Sequence, residues 1–121
     1  MVSIAVAVPL QLVRRVLRPG GLLAVSAPSR HNDPELSSVL PDWGRPSSFD
    51  AEVGPAVVGE VLDVVAVTSW DEPLLHLPDR EAVTLYLRGR GLSEPTARDA
   101  ALRVATPLRV TKRGSLIWAR R

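Results

Sequence analysis

Val16-Leu17-Arg18-Pro19-Gly20-Gly21, running into Leu22-Leu23-Ala24-Val25-Ser26-Ala27, is the stretch that decides the fold. Before it, Leu10, Val13, Val16 and Leu17 fall on one face at helical spacing, with Arg14, Arg15 and Arg18 on another. Pro19 cannot continue the helical hydrogen-bond ladder, and the two glycines accept the left-handed backbone that ends a helix. Leu22 to Ala27 is then an uninterrupted apolar run, short enough for a strand buried on both faces, as in parallel sheets covered by helices. Helix, tight turn and buried strand form the second half of a βαβ unit. Further upstream, Ile4, Val6 and Val8 alternate within Val2 to Val8 as a strand would, although the alanines there also permit helix.

The whole chain has 121 residues, the length of about one domain. Its 45% apolar and 23% charged residues describe a globular rather than a disordered protein. The net charge of +2 is too small to argue for nucleic acid. Fourteen of the fifteen basic residues are arginine, which explains the high isoelectric point. Without cysteine there is no disulfide, thiolate nucleophile or thiolate-bound zinc. Met1 to Val13 carries no charge, and Arg14-Arg15 follows it. That order does not suit a signal peptide, and the stretch is too short for a membrane span of about 20 residues. A soluble, cytoplasmic chain without membrane contact is expected.

Downstream, Pro28 to Ser48 is rich in Pro, Ser, Asn, Asp and Gly and reads as a long loop, the kind that becomes a lid or binding segment. Helix is expected between Phe49 and Leu62 on a Val53, Val57, Val61 stripe, its start delayed by Gly54-Pro55. Asp63 to Trp70 reads as a strand, and Leu74 to Leu77 as a separate extended piece between Pro73 and Pro78. Asp79 and Ser93 are candidate N-caps of two helices, the first burying Ala82, Val83, Tyr86 and Leu87, the second Ala97, Ala100, Ala101 and Val104. A basic turn, Lys112-Arg113-Gly114, precedes a last strand from Ser115 to Ala119.

The Pro-Gly-Gly turn and the LLAVSAPS that follows resemble a signature of class I methyltransferases that use S-adenosylmethionine. Ser29-Arg30-His31-Asn32-Asp33-Pro34-Glu35-Leu36, Trp70-Asp71-Glu72-Pro73, Tyr86-Leu87-Arg88 and Thr111-Lys112-Arg113-Gly114 are similar to segments of a small-molecule branch of that family. The resemblance spans roughly 10–121. It implies an α/β fold: part of a Rossmann-like methyltransferase sheet in the order helix, strand, helix, strand, helix pair, strand. Residues 1–121 would form a single partial domain, with 28–48 as an acceptor-side loop and 79–105 as a helical insertion. It also implies S-adenosylmethionine as cofactor and a small molecule as methyl acceptor.

The family's cofactor packs against a G-x-G-x-G turn after the first strand. The only G-x-G in this chain is Gly89-Arg90-Gly91, at a helix end rather than after a buried strand, where it reads as a helix stop. The expectation is therefore the C-terminal half of the fold without its cofactor-binding half, inactive alone. An uncovered sheet edge would leave it marginally stable or self-associating. The alternative is a non-catalytic half-domain kept as an interaction module or partner subunit.

His31 is the candidate general base, because it follows the buried strand where open α/β sheets bind ligands and an imidazole is the side chain most often used for proton transfer. Asp33, Trp43 and Tyr86 are the candidate acceptor-binding residues, Trp43 as an indole exposed in the loop and Tyr86 as a helix-face residue with its hydroxyl at the surface. His31, Asp33 and Glu35 lie on a loop whose spacing fixes no metal geometry, so no metal is expected. Trp70 is expected in the core and His76 pointing outward. The basic end formed by Arg109, Lys112, Arg113, Arg120 and Arg121 has only Trp118 beside it as a stacking aromatic, expected to be buried, so no nucleic-acid partner is expected.

Overall fold

The computed structural model describes the backbone of residues 2–4 and the whole of residues 10–121. It is an α/β chain whose four strands lie in the order β1 (Val2–Ile4), β2 (Leu22–Pro28), β4 (Leu108–Arg120), β3 (Asp63–Leu77). The helices are α1 (Leu10–Val16), α2 (Gly54–Gly59), α3 (Arg80–Gly89) and α4 (Glu94–Ala101). Residues 5–8 of the expected first strand lie outside the described residues. Among the described residues, no helix is long and apolar enough to cross a membrane.

The chain divides into two compact units. The first is built from the chain up to Asn32, from Gly44–Asp71 and from Arg113–Arg121. Here β1 runs parallel to β2, and α1 connects them. The turn after α1 holds Gly20 at φ +77°, a conformation that a side chain resists. At Gly21 an added Cβ would stand 2.8 Å from the Arg18 carbonyl oxygen, so both glycines are required. Val13 of α1 and Leu17, just beyond its end, pack with Leu23 and Val25 of β2, Ile117 and Ala119 of β4, and Val58 and Leu62. Val16, expected on this inward face, is exposed.

The sheet is not parallel throughout, as the buried β2 run suggested. β4 lies beside β2 antiparallel, pairing Val25 with Ile117 and Ala24 with Trp118. Ala24, whose cross-strand partner is the large Trp118, is buried. Trp118 is itself 37% exposed rather than buried. Lys112-Arg113-Gly114 is not a turn but part of β4. The expected separation at Pro73 is also absent, since β3 continues through it. A strand at the end of the sheet order tolerates a residue with no N–H.

The second unit consists of Asp33–Trp43 and Glu72–Lys112. Asp79 caps α3 by accepting from the Ala82 N–H at 2.8 Å, and Ser93 caps α4 by accepting from Thr96. The small Ala97, Ala100 and Ala101 of α4 share a core with Val83 and Leu87 of α3 and with Val110. Leu36, Val39 and Leu40 complete that core, with Leu36 on a single 3-10 turn, Pro34–Leu36. The polar reading of 28–48 thus missed three buried apolar residues spaced among Pro, Ser and Asp. Gly89-Arg90-Gly91 does end a helix, with Gly91 at φ +99°.

Candidate functional site

In the first unit, polar groups gather just beyond the C-terminal end of β2. Arg30 Nε and Nη2 donate to the two oxygens of buried Asp50 at 3.1 and 3.2 Å. Asp50 also accepts from the N–H groups of Ser47, Glu52 and Val53. A single carboxylate therefore fastens the segment before α2 to the end of β2. Glu52 accepts from the Ser29 hydroxyl and the Arg30 N–H. His31 Nδ1 stands 3.7 Å from Glu52 Oε1, and the His31 N–H donates to Ser29 Oγ.

Ser29 and Glu52 are also two walls of a cleft of about 230 Å³. Trp70 lies across Gly114 in the same cleft, so close that a Cβ on Gly114 would meet its ring at 2.6 Å. The Ser69 and Ser115 hydroxyls face each other at 2.9 Å, and Arg113 Nε donates to Asp71 at 2.9 Å. Trp70 is half-buried, not a core residue.

In the second unit, Asp33 is completely buried and its backbone is left-handed, with φ 62°. Its carboxylate accepts from Tyr86 Oη at 2.6 Å, from Arg90 Nη1 at 2.5 Å and from Lys112 Nζ at 2.8 Å. Lys112 also donates to Tyr86 Oη at 2.6 Å and lies 5.1 Å from the centre of the Tyr86 ring. Glu35 accepts from the N–H and hydroxyl of Thr111, whose carbonyl accepts from the Asp33 N–H. Each buried charge is paired and hydrogen-bonded, as burial demands.

Of the candidates read from sequence, Asp33 and Tyr86 are in direct contact. Trp43 is half-buried and packs against the core of the same unit, so it is not an exposed lid indole. The Tyr86 hydroxyl, expected at the surface, is tied to Asp33 instead. His31 belongs to the first unit, exposed beside Glu52, and His76 is exposed. Among the described residues, no three His, Asp or Glu side chains gather to hold a metal. Asp50 and Glu52 were not named from sequence, and Arg90 and Lys112 were read only as parts of a helix stop and a basic end, since the side chains they join lie 20 or more positions away. One available signal was Lys112, the single lysine in a chain that otherwise uses arginine.

These networks set the ionisation of their members. Burial, the largest influence on Asp50, opposes its charge, but the bonds from Val53, Arg30 and Ser47 outweigh it and hold the carboxyl below its usual range. Glu52 is lowered likewise, burial being outweighed by the bonds from Ser29 and Arg30. Burial and the Asp33 carboxylate push the Tyr86 phenol up. Lys112 is also raised: burial opposes its charge, and Asp33 and Tyr86 more than compensate. Depressed carboxylates contribute stability that is present above about pH 4 and lost as pH falls through their folded-state values. Raised Tyr86 and Lys112 contribute stability present below about pH 10 and lost as pH rises beyond it. Urea midpoints measured against pH should therefore fall at both ends. Asp50→Asn should flatten the acid limb and Tyr86→Phe the alkaline one; an alkaline limb unchanged in Tyr86→Phe would refute the second assignment.

No protein-family model matches the chain, and no curated protein matches it in sequence. The residues present do not fit the S-adenosylmethionine that the resemblance implies. Around Gly89-Arg90-Gly91, the Arg90 N–H donates to Tyr86 and Leu87 and the Gly91 N–H to Arg88. The Gly20 and Gly21 N–H groups donate to Arg121 and Arg18. These glycine-turn amides are therefore committed to the chain's own carbonyls rather than to a ligand.

Proposed function

We propose that the chain is the acceptor-side half of a class I S-adenosylmethionine-dependent methyltransferase acting on a small molecule. The observation that carries this reading is the parallel β1–α1–β2 unit, in which Pro19-Gly20-Gly21 turns α1 into a buried strand. A polar cleft lies beyond that strand's C-terminal end, where open α/β sheets receive ligands. In this reading, the chain contributes the acceptor cleft and the loop carrying His31, and the cofactor is held by residues outside these 121. Self-association or pairing with a cofactor-binding half follows from the same division.

Calorimetry of these 121 residues with S-adenosylmethionine should give no stoichiometric heat, and tight binding would overturn the division of labour. The coding sequence upstream of Met1 supplies the complementary check. An in-frame strand with a glycine-rich turn supports the reading, and its absence there and in any co-purifying chain removes it. The committed amides of both glycine turns also favour a second reading, a non-catalytic half-domain serving as a partner subunit. Co-purification with a glycine-turn chain that is fully active without this one would select it.

A further inference from the structure

We infer that the cleft of the first unit binds a neutral ring bearing adjacent hydroxyl groups. The inference builds on the methyltransferase reading only in taking that ring as the acceptor; the binding itself rests on the cleft.

The charged groups at the cleft are hydrogen-bonded or ion-paired to one another. Ser29 donates to Glu52, and Arg30 Nε and His31 Nδ1 each lie 3.7 Å from a Glu52 oxygen. Arg113 is matched by Asp71 at 2.9 Å. Arg30 also holds Asp50, so the pairs leave one negative charge, on Glu52, which repels an anion and can accept hydroxyl hydrogens. Hydroxyl chemistry is abundant. Ser69 and Ser115 share one hydrogen between their two oxygens, leaving the pair with one hydrogen and several lone pairs to offer. Glu52, which also lines the cleft, adds carboxylate lone pairs.

The remaining wall is the half-buried indole of Trp70, which lies against Gly114. A rigid indole is a surface on which a flat or pucker-limited ring packs, with its edge hydroxyls directed to the neighbouring polar atoms. The volume of about 230 Å³ suits a single ring rather than a drug-sized ligand. Saturated and aromatic rings can both carry such a diol.

The test follows the Trp70 indole N–H signal by NMR in the intact chain, assigned with Trp70→Phe. Four probes are titrated: catechol, methyl ribofuranoside, 1,2-dimethoxybenzene and benzylamine. At least one of the two diols is expected to shift the signal with a dissociation constant on the order of 1 mM, and to bind about fivefold more tightly than the dimethoxy and amine probes. The diol that binds identifies the ring type. Ser69→Ala, which alters an exposed side chain, should weaken that diol about fivefold and leave 1,2-dimethoxybenzene unchanged. Equal binding of 1,2-dimethoxybenzene, tighter binding of benzylamine, or no shift with either diol would overturn the inference. Diol binding without methylation in the complete enzyme sinks the acceptor role alone. Methyl transfer to a substrate lacking a diol, with no diol binding, sinks this inference and spares the enzyme class.

Discussion

Asp33→Ala is expected to lower the unfolding free energy by about 3 kcal/mol, the range seen when one member of a buried ion network is removed. The carboxylate is completely buried and joins three residues far apart in sequence: Tyr86, Arg90 and Lys112. Its loss leaves the phenol without its acceptor and two cations facing each other. Arg90 and Lys112 are each about 30% exposed, which allows them partial rehydration and keeps the cost below that of a fully enclosed pair. Alanine also fits the left-handed backbone at φ 62° poorly, whereas asparagine accepts it. Asp33→Asn should therefore recover about 1 kcal/mol of the loss. Urea denaturation of the two variants provides the measurement. A loss below about 1 kcal/mol in Asp33→Ala would mean that solvent screens the network and that its geometry contributes little.

Gly114→Ala should be costly too, by about 3 kcal/mol, at the upper end of overpacking effects. The new Cβ would stand 2.6 Å from the Trp70 ring and 2.9 Å from the Ala27 carbonyl oxygen on β2. The ring can swing away, but the strand cannot move without breaking its pairing with β4. Gly54→Ala is the informative control. Its Cβ would meet only the terminal methyl of Ile117 closely, at 2.7 Å, and a flexible side-chain end gives way at a cost of about 1 kcal/mol. Thermal melts should rank the two clearly, and the opposite order would show that β2 and β4 are not held as tightly as their register implies. Because Gly114 seats Trp70, the same substitution should also disturb the Trp70 indole signal.

How far the sequence could be read depended on the range of the interactions. The Pro19-Gly20-Gly21 stop, the Asp79 and Ser93 caps and the Gly89-Arg90-Gly91 helix end are local chemistry, and all are present as read. The order of helices and strands from α1 onward is likewise that read from periodicity. Strand direction was not legible, because a strand buried on both faces looks the same whether its neighbour runs parallel or antiparallel. Trp118 illustrates this: an apolar strand suggested burial, but its place opposite small Ala24 leaves the indole as cover rather than core. Leu36, Val39 and Leu40 were hidden by polar neighbours, with no periodic pattern long enough to reveal them. Of the candidate site, Asp33 and Tyr86 were named separately, and only the fold, bringing positions 53 residues apart within 2.6 Å, joined them. The cleft beside Trp70 was not assembled from sequence, since its walls come from four separate stretches.

The discontinuity of the first unit bears on how the protein is made. Ile117 and Ala119, both fully buried in its core, come from a segment synthesised after every residue of the second unit. Asp33–Trp43 and Glu72–Lys112, the whole of the second unit, have by then been synthesised. The residues of the second unit are therefore complete before those of the first, in contrast to domains that are finished one after another from the N-terminus. The unit that begins first must wait with β2 unpaired on the β4 side until Arg113–Arg121 emerges, whereas the second unit has all its residues earlier.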